Sequence, residues 1–206
     1  MRSVLPLSLI QTLSAFATTM HLKDAYTDVH QLGVSSLART LAQMLGCSHN
    51  EIECIRVCGL LHDIGKLGIP GDILLKSSQL TAPEFDVIKT HSALGGDILK
   101  DIDFPWPVAT IIRHHHERMD GSGYPDGLKG EETHLAARII GVADVVHAMM
   151  HPRVYRQTSG VDFAMDEIER NRGTLYDSTV VDACLKLFRE EPERLNPEYY
   201  GRQAAL

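Results

Sequence analysis

The stretch that decides the fold is Leu60-Leu61-His62-Asp63-Ile64-Gly65-Lys66-Leu67-Gly68-Ile69-Pro70. An apolar helical run enters an adjacent His-Asp pair, and glycine and proline then end the helix. Neighbours on a helix stand about 100° apart. His62 and Asp63 therefore converge on one cation only if both lean into a common cavity, which a helix ending after Ile64 permits. Lys66, one turn on, sets a positive charge beside the pair. A single His-Asp dipeptide is a weak signal, and its weight depends on the histidines elsewhere in the chain.

Upstream of this stretch, Ser48-His49-Asn50-Glu51 reads as a capping box opening the helix that ends at His62-Asp63, with His49 a solvated residue of the cap. Before it, Val34, Leu37, Leu41 and Leu45 share one face of a helix stopped by Gly46. Leu9, Leu13, Phe16 and Met20 give an earlier amphipathic helix, suited to pack on the domain or link it to something upstream. Arg2 and the apolar residues 4–10 faintly resemble a signal peptide. Pro6, Gln11 and Thr12 interrupt that run, which is too short to span a membrane.

Downstream, residues 68–78 read as a loop. Thr81-Ala82-Pro83-Glu84 is a second capping box, opening a helix that carries His91. Pro105 and Pro107 open a helix through Ile111-Ile112 into His114-His115-His116-Glu117, followed by the Gly-rich loop Asp120-Gly121-Ser122-Gly123-Tyr124-Pro125-Asp126-Gly127. Residues 135–150 form a long apolar helix containing Arg138 and Asp144. Two amphipathic helices, 161–170 and 180–189, close the chain, separated by a Gly173 stop and an Asp177 cap.

The composition agrees with an all-α class. The chain has 206 residues, enough for one domain with a full core. Only 6% of it is aromatic, and long β-branched alternations are missing. A formal charge of −7 argues against a nucleic-acid polymer as partner, because such binding needs a basic face. It leaves an anionic small substrate open, since bound metal ions dominate a local field. Cys54 and Cys58, four apart on a helix, read as small buried residues rather than a metal pair. With Cys47 and Cys184 they form no secreted disulfide framework.

His62, Asp63, His91, His115, His116 and Asp144 each lie in or at the end of a segment that otherwise reads as buried apolar helix. A polar group there costs free energy unless it is paired. A salt bridge to Arg138 could explain one such aspartate, but not six residues on four segments. Imidazoles with carboxylates suit first-row divalent metals, and six or more such donors exceed what one tetrahedral ion takes. They fit two ions, the usual clamp for in-line displacement at phosphorus, with Lys66 placed to hold a phosphate oxygen.

These residues occur in a longer series: Tyr26-Thr27 with His30, the His62-to-Pro70 stretch, Ile73-Leu74 with Lys76, His91, His115-His116-Glu117-Arg118 with Asp120 to Pro125, Ala137 to Asp144, and Arg153 with Tyr155-Arg156. Over roughly residues 20–190 the chain resembles the HD-GYP domain, a branch of the HD metal-dependent phosphohydrolases. The resemblance implies an all-α HD core of about five helices with added N- and C-terminal helices and a Gly-Tyr-Pro loop. It implies hydrolysis of cyclic di-GMP to linear pGpG, and in some members on to GMP. By the same resemblance His62, Asp63, His91, His115, His116 and Asp144 are metal ligands. His30 is a further ligand or a neighbour of one. Asp63 and Lys66 serve the chemistry, and Lys66, Lys76, Tyr124, Arg138, Arg153 and Arg156 meet the substrate. Two ions per chain are implied, iron or manganese ahead of zinc, nickel or magnesium. Tyr26 stands where a glutamate would favour a third.

Two departures from the family pattern bear on the site. His147 stands three residues after Asp144, where the family commonly has an acidic residue, and Val154 replaces a proline. His114, His134 and His151 read as surface or helix-end residues. The expected organisation is a linker or packing helix over 1–20, the phosphohydrolase domain over 21–192 and a tail over 193–206. The alternatives are a catalytically weak cyclic di-GMP sensor or docking module, and an HD phosphohydrolase of another nucleotide. An upstream sensory domain, signalling partners at the Gly-Tyr-Pro loop, a homodimer through residues 9–20 and a cytoplasmic location without direct membrane contact complete the expectations. A longer parent protein could still be membrane-tethered.

Overall fold

Three short polar side chains set where the helices begin. Ser48 accepts a hydrogen bond from the Glu51 amide while the Glu51 carboxylate accepts one from the Ser48 amide, and Thr81 and Glu84 repeat this arrangement. Asp177 accepts from the amides of Thr179 and Val180. Each such cap stabilises its helix by about 1 kcal/mol. The computed structural model describes residues 27–150 and 160–192. Their elements are α1 (Thr27–Met44), α2 (His49–Leu61), a 3₁₀ turn (Ile64–Gly68), α3 (Gly71–Leu74), α4 (Ala82–Leu99), α5 (Val108–Arg113), a second 3₁₀ turn (Gly130–Glu132), α6 (Leu135–Met150), α7 (Gly160–Arg170) and α8 (Ser178–Glu190). The described residues form no β-strand, only an isolated bridge between Arg172 and Tyr176. The all-α expectation holds.

α6 lies at the centre because its sequence leaves it no polar face. Ala136, Ala137, Ile139, Ile140, Val142, Ala143 and Val146 are all buried along it, as expected of a helix that is apolar nearly all round. α1 packs on α6 and α2, α7 lies on α6, and α8 touches α1, α6 and α7. Ile139 and Ile140 are fully enclosed, so truncating either to alanine would cost about 2–5 kcal/mol.

α4 forms a second group with α5 and the first 3₁₀ turn, and Gly65 determines how closely they meet. A Cβ at Gly65 would lie 1.8 Å from the His91 carbonyl oxygen and 2.5 Å from the Gly95 amide nitrogen. The backbone leaving His62-Asp63 therefore rests directly on the backbone of α4 beside His91, which only glycine allows.

The helix expected to run into His114-His115-His116 stops earlier, at Arg113. His115 Nδ1 bonds the Ile112 carbonyl at 2.6 Å. That carbonyl is the acceptor a continuing helix would offer to the His116 amide. The expected 68–78 loop contains the short helix α3, in which the Pro70 carbonyl accepts from the amides of Ile73 and Leu74. The helix expected over 1–20, Tyr26, Arg153, Arg156, His151 and the tail 193–206 lie outside the described residues. Among those described, no helix is long and apolar enough to cross a membrane.

Candidate metal centre

Five segments deliver seven donor residues to one place. His30 comes from α1, His62 and Asp63 from the end of α2, His91 from α4, His115 and His116 from the turn after α5, and Asp144 from α6. They form two three-residue clusters, His30/His62/Asp144 and His91/His115/His116, each with its donor atoms within 4.8 Å of one another. Asp63 sits between them. Its Oδ2 is 3.4 Å from His62 Nε2 and 4.0 Å from His30 Nε2, and its Oδ1 is 3.6 Å from His91 Nε2. Asp144 also faces both ways, with Oδ1 3.0 Å from His30 Nε2 and Oδ2 4.0 Å from His116 Nδ1.

Three of the rings are oriented by their own helices. His62 Nδ1 bonds the Gly59 carbonyl at 2.8 Å, His91 Nδ1 bonds Ile88 at 2.7 Å, and His115 Nδ1 bonds Ile112 at 2.6 Å. A carbonyl oxygen only accepts, so Nδ1 carries the proton in each ring. In a neutral ring, Nε2 is then a bare lone pair pointing into the site. His91 Nε2 lies 3.4 Å from His115 Nε2 and 3.2 Å from His116 Nε2. The bare nitrogens of His91 and His115 thus face each other. His62 Nε2 is buried and makes no hydrogen bond to any described residue. Converging lone pairs and an orphaned buried nitrogen are what a cation would satisfy.

The electrostatics fit the same occupant. Burial, reinforced by His62 and His91, lowers His115 to about 3, and burial also lowers His30, His91 and His116. Burial thereby favours the neutral form of those rings, the form that ligation requires. Burial works to raise the Asp63 carboxyl, but the Lys66 ammonium, His62, His91 and His30 overcome it and hold it well below the usual range. Asp144 is likewise pushed up by burial and held well below by its hydrogen bond and charge interaction with His30, then by His62 and His116. The set therefore combines imidazoles, four of them biased by burial toward the neutral form, with ionised carboxylates, a donor chemistry that fits borderline divalent metal ions.

The groups of the site are unequally exposed. His62 and Asp63 side chains are 1% and 3% exposed, whereas Asp144, His116 and Lys66 reach 13%, 14% and 18%. Lys66 Nζ donates to Asp63 Oδ2 at 2.6 Å. Tyr124 lies over His116 with ring centroids 4.8 Å apart and planes tilted by 31°. Its hydroxyl is pushed up by burial and by Asp144.

The Gly-rich loop that carries Tyr124 is pinned by a residue to which sequence reasoning assigned no role. Glu117 is buried, and its carboxylate accepts from the amides of Asp126, Gly127 and Leu128 at 2.7, 3.1 and 3.1 Å. A Cβ at Gly123 would lie 2.4 Å from Glu117 Cα, so the loop doubles back onto its own stem. At its outer end Asp126 takes a two-pronged bond from Arg113, 2.7 Å on each prong, and meets His114 Nε2 at 2.8 Å. Glu117 follows the histidine pair in sequence. Its role in holding the loop depends on loop geometry that has no sequence signature.

Other expected contacts lie elsewhere. Lys76 is paired with both oxygens of Glu84 at 2.6 and 2.7 Å. Arg138 pairs with Asp177, the cap of α8, beside a cavity of about 10 Å³ that it shares with Thr133. His134 is exposed. His147, which stands where the family commonly has an acidic residue, is buried and lies against His30.

Residues 9–180 match the family described as HD domain. The chain is 40% identical over 178 residues to the cyclic di-GMP phosphodiesterase response regulator RpfG of Xanthomonas campestris, covering 85% of this chain and 47% of that protein. It is 39% identical over 184 residues to a cyclic di-GMP phosphodiesterase of Thermotoga maritima, covering 88% and 50%. The chain thus spans about half the length of the curated relatives it matches. Among solved structures it is similar in fold to Bd1817, an HDGYP protein from Bdellovibrio bacteriovorus, with a TM-score of 0.66 and 21% identity over 87% of this chain and 57% of that one.

Proposed function

This chain belongs to the HD domain family and carries the HD-GYP motif series, and from that premise we propose that it is a metal-dependent phosphodiesterase opening cyclic di-GMP to linear pGpG. The observation that carries the reading is the pair of three-donor clusters with the two oxygens of Asp63 turned one to each. His30, His62 and Asp144 would hold one divalent ion and His91, His115 and His116 a second, with Asp63 between them. Iron or manganese is proposed ahead of zinc, nickel or magnesium. Such ions supply an acidified water and positive charge against phosphoryl oxygens.

The chain's own residues then have separate tasks. Lys66 is partly exposed beside Asp63, where its ammonium would meet a non-bridging oxygen of the scissile phosphate. Its bond to Asp63 holds it there between turnovers. Tyr124, stacked on His116, offers an apolar ring face at the mouth that would shield the phosphate from bulk water. Arg153 and Arg156 are proposed to meet phosphates or guanine edges, as the family pattern implies. Lys76 and Arg138 would have to leave Glu84 and Asp177 to do so. The loop at Tyr124 is also proposed as a docking surface for signalling partners, in the cytoplasm where such a messenger is turned over.

The test is product chromatography on protein reconstituted anaerobically with iron(II) or manganese(II), with metal content measured on the same samples. The panel holds cyclic di-GMP, 3′3′-cyclic GMP-AMP and linear dinucleotides. About two ions per chain with pGpG from cyclic di-GMP is the expected result. Metal bound with no turnover of any substrate would point to a sensor. Turnover of another nucleotide alone would reassign the specificity.

A further inference from the structure

His30 differs from the other oriented rings of the centre. His62, His91 and His115 each use a carbonyl three residues back, whereas His30 Nδ1 lies 3.0 Å from Nδ1 of His147, 117 positions away. The two rings are 5.0 Å apart between centroids, and His147 is 1% exposed. The space for it is specific. A Cβ at Gly33, one turn after His30 on α1, would lie 1.8 Å from His147 Nε2. The bare Cα of Gly33 is therefore the wall of a slot that the His147 ring fills.

We infer that His147 is a positioning residue for His30, a partner that can either donate to or accept from Nδ1 and so lets His30 change tautomer when its Nε2 takes a metal ion. The inference rests on the reading of His30 as a ligand. His30 Nε2 lies 3.0 Å from Asp144 Oδ1, a carboxylate that only accepts. The neutral ring then carries its proton on Nε2, and His30 Nδ1 accepts from His147 Nδ1–H. To ligate, Nε2 must present a lone pair, so the proton sits on Nδ1 and that N–H now points at His147. His147 must then accept, with its own proton on Nε2. Each ring keeps one proton throughout, and both change tautomer together. A carboxylate at position 147 could serve only the second state. An imidazole serves both, so the metal-free centre keeps a satisfied hydrogen bond at this contact.

The test uses cobalt(II), followed by its visible absorption, on the full chain. The binding step lost in His30→Ala is assigned to the His30 position. His147→Phe fills the slot without a ring nitrogen, and is expected to weaken that step by about 10- to 100-fold, the usual effect of removing a ligand's orienting partner. His147→Asn, which can also donate or accept, should return affinity to within a few-fold of the parent chain. If the phenylalanine and asparagine variants both bind as the parent does, or both weaken equally, the inference is overturned. If His30→Ala removes no step, the ligand reading fails, and the inference fails with it. Should the phenylalanine variant not fold, NMR of isotope-labelled histidines in the unaltered chain decides. Titration with zinc(II) is expected to switch the tautomers of His30 and His147 together, and a His147 ring that stays unchanged while His30 binds overturns the inference.

Discussion

The two halves of the centre hold their rings in different ways. In the His91/His115/His116 half, two rings hang from carbonyls of their own segments three residues back. Their orientation is local and survives as long as the backbone turn does. In the His30/His62/Asp144 half, His62 follows the same rule, but His30 is set by His147 on α6 and by Asp144 on that same helix. That half exists only when α1 is docked on α6. Ring orientation is therefore fixed by local hydrogen bonds at His91 and His115 and by the packing of α1 on α6 at His30, so a change in α1 docking acts first on the second half.

Asp63 belongs to both halves, so its removal should have the largest effect. Asp63→Ala is expected to empty both clusters of metal and to lower turnover by at least about 10³-fold, a transition-state loss of about 4 kcal/mol. The Lys66 ammonium would also lose its 2.6 Å partner. Metal analysis beside product chromatography reads both effects. One remaining equivalent of metal would show that Asp63 does not connect the halves.

Next in size are the single-half changes, which test the contrast directly. His115→Ala should lose metal from its own half and leave His30 and His62 able to bind, whereas His30→Ala should do the reverse. Each is expected to cost turnover about 10²-fold, or about 3 kcal/mol. The sharper readout is sensitivity to α1 packing. Leu37→Ala, a truncation of a core residue of α1 that is 1% exposed, should weaken metal at the His30 half while the His115 half keeps its affinity. Equal loss in both halves, followed by calorimetric metal titration, would break the distinction between local and tertiary support.

The halves also differ in how much of them sequence could reveal. Six of the ligand candidates stand out because they are polar within or at the end of an apolar segment, as Asp144 does between Ala143 and Val145, whereas His30 was indicated only by the family resemblance. That contrast comes from the cost of burying a polar group, so it is written in the local pattern. The capping boxes at Ser48 and Thr81 and the αL stops at Gly46 and Gly173 were legible for the same reason, because their chemistry is confined to a few consecutive residues. The His147–His30 contact and the three amides held by Glu117 were not legible. They depend on which helix faces which, and on a loop folding back onto its stem. The end of α5 at Arg113 differs from the sequence expectation because the competing donor for the Ile112 carbonyl, the His115 ring, lies in the tertiary site rather than in helix propensity.

The Gly-rich loop supplies a smaller test, because it shapes the mouth without holding metal. Glu117→Gln leaves one neutral acceptor oxygen for the Asp126 and Gly127 amides and turns an NH2 donor toward the Leu128 amide. Hydrogen bonds to charged groups exceed neutral ones by roughly 1 kcal/mol each, so a loss of about 3 kcal/mol in stability is expected. KM should rise while metal content stays at the parent value. Loss of metal in this variant would mean that the loop and the His115 half are one structural unit.

The smallest effect should come from the outer latch of the same loop. Asp126 is about 35% exposed and holds Arg113 and His114, so Asp126→Asn is expected to cost less than about 1 kcal/mol, as surface pairs do. Its pH dependence is the informative part. The hydrogen bond from Arg113, opposed slightly by burial and aided by His114, lowers the Asp126 carboxyl to about 2. A carboxyl depressed on folding contributes stability above its unfolded value, near pH 3.8, and loses it as pH falls through the folded value. The difference in urea midpoint between the parent chain and Asp126→Asn should therefore be constant near neutrality and shrink between about pH 4 and pH 2. A difference that persists unchanged through that window would assign the latch to packing of the loop against Arg113 rather than to charge. The loop would then resemble the tertiary half of the centre more than the local one.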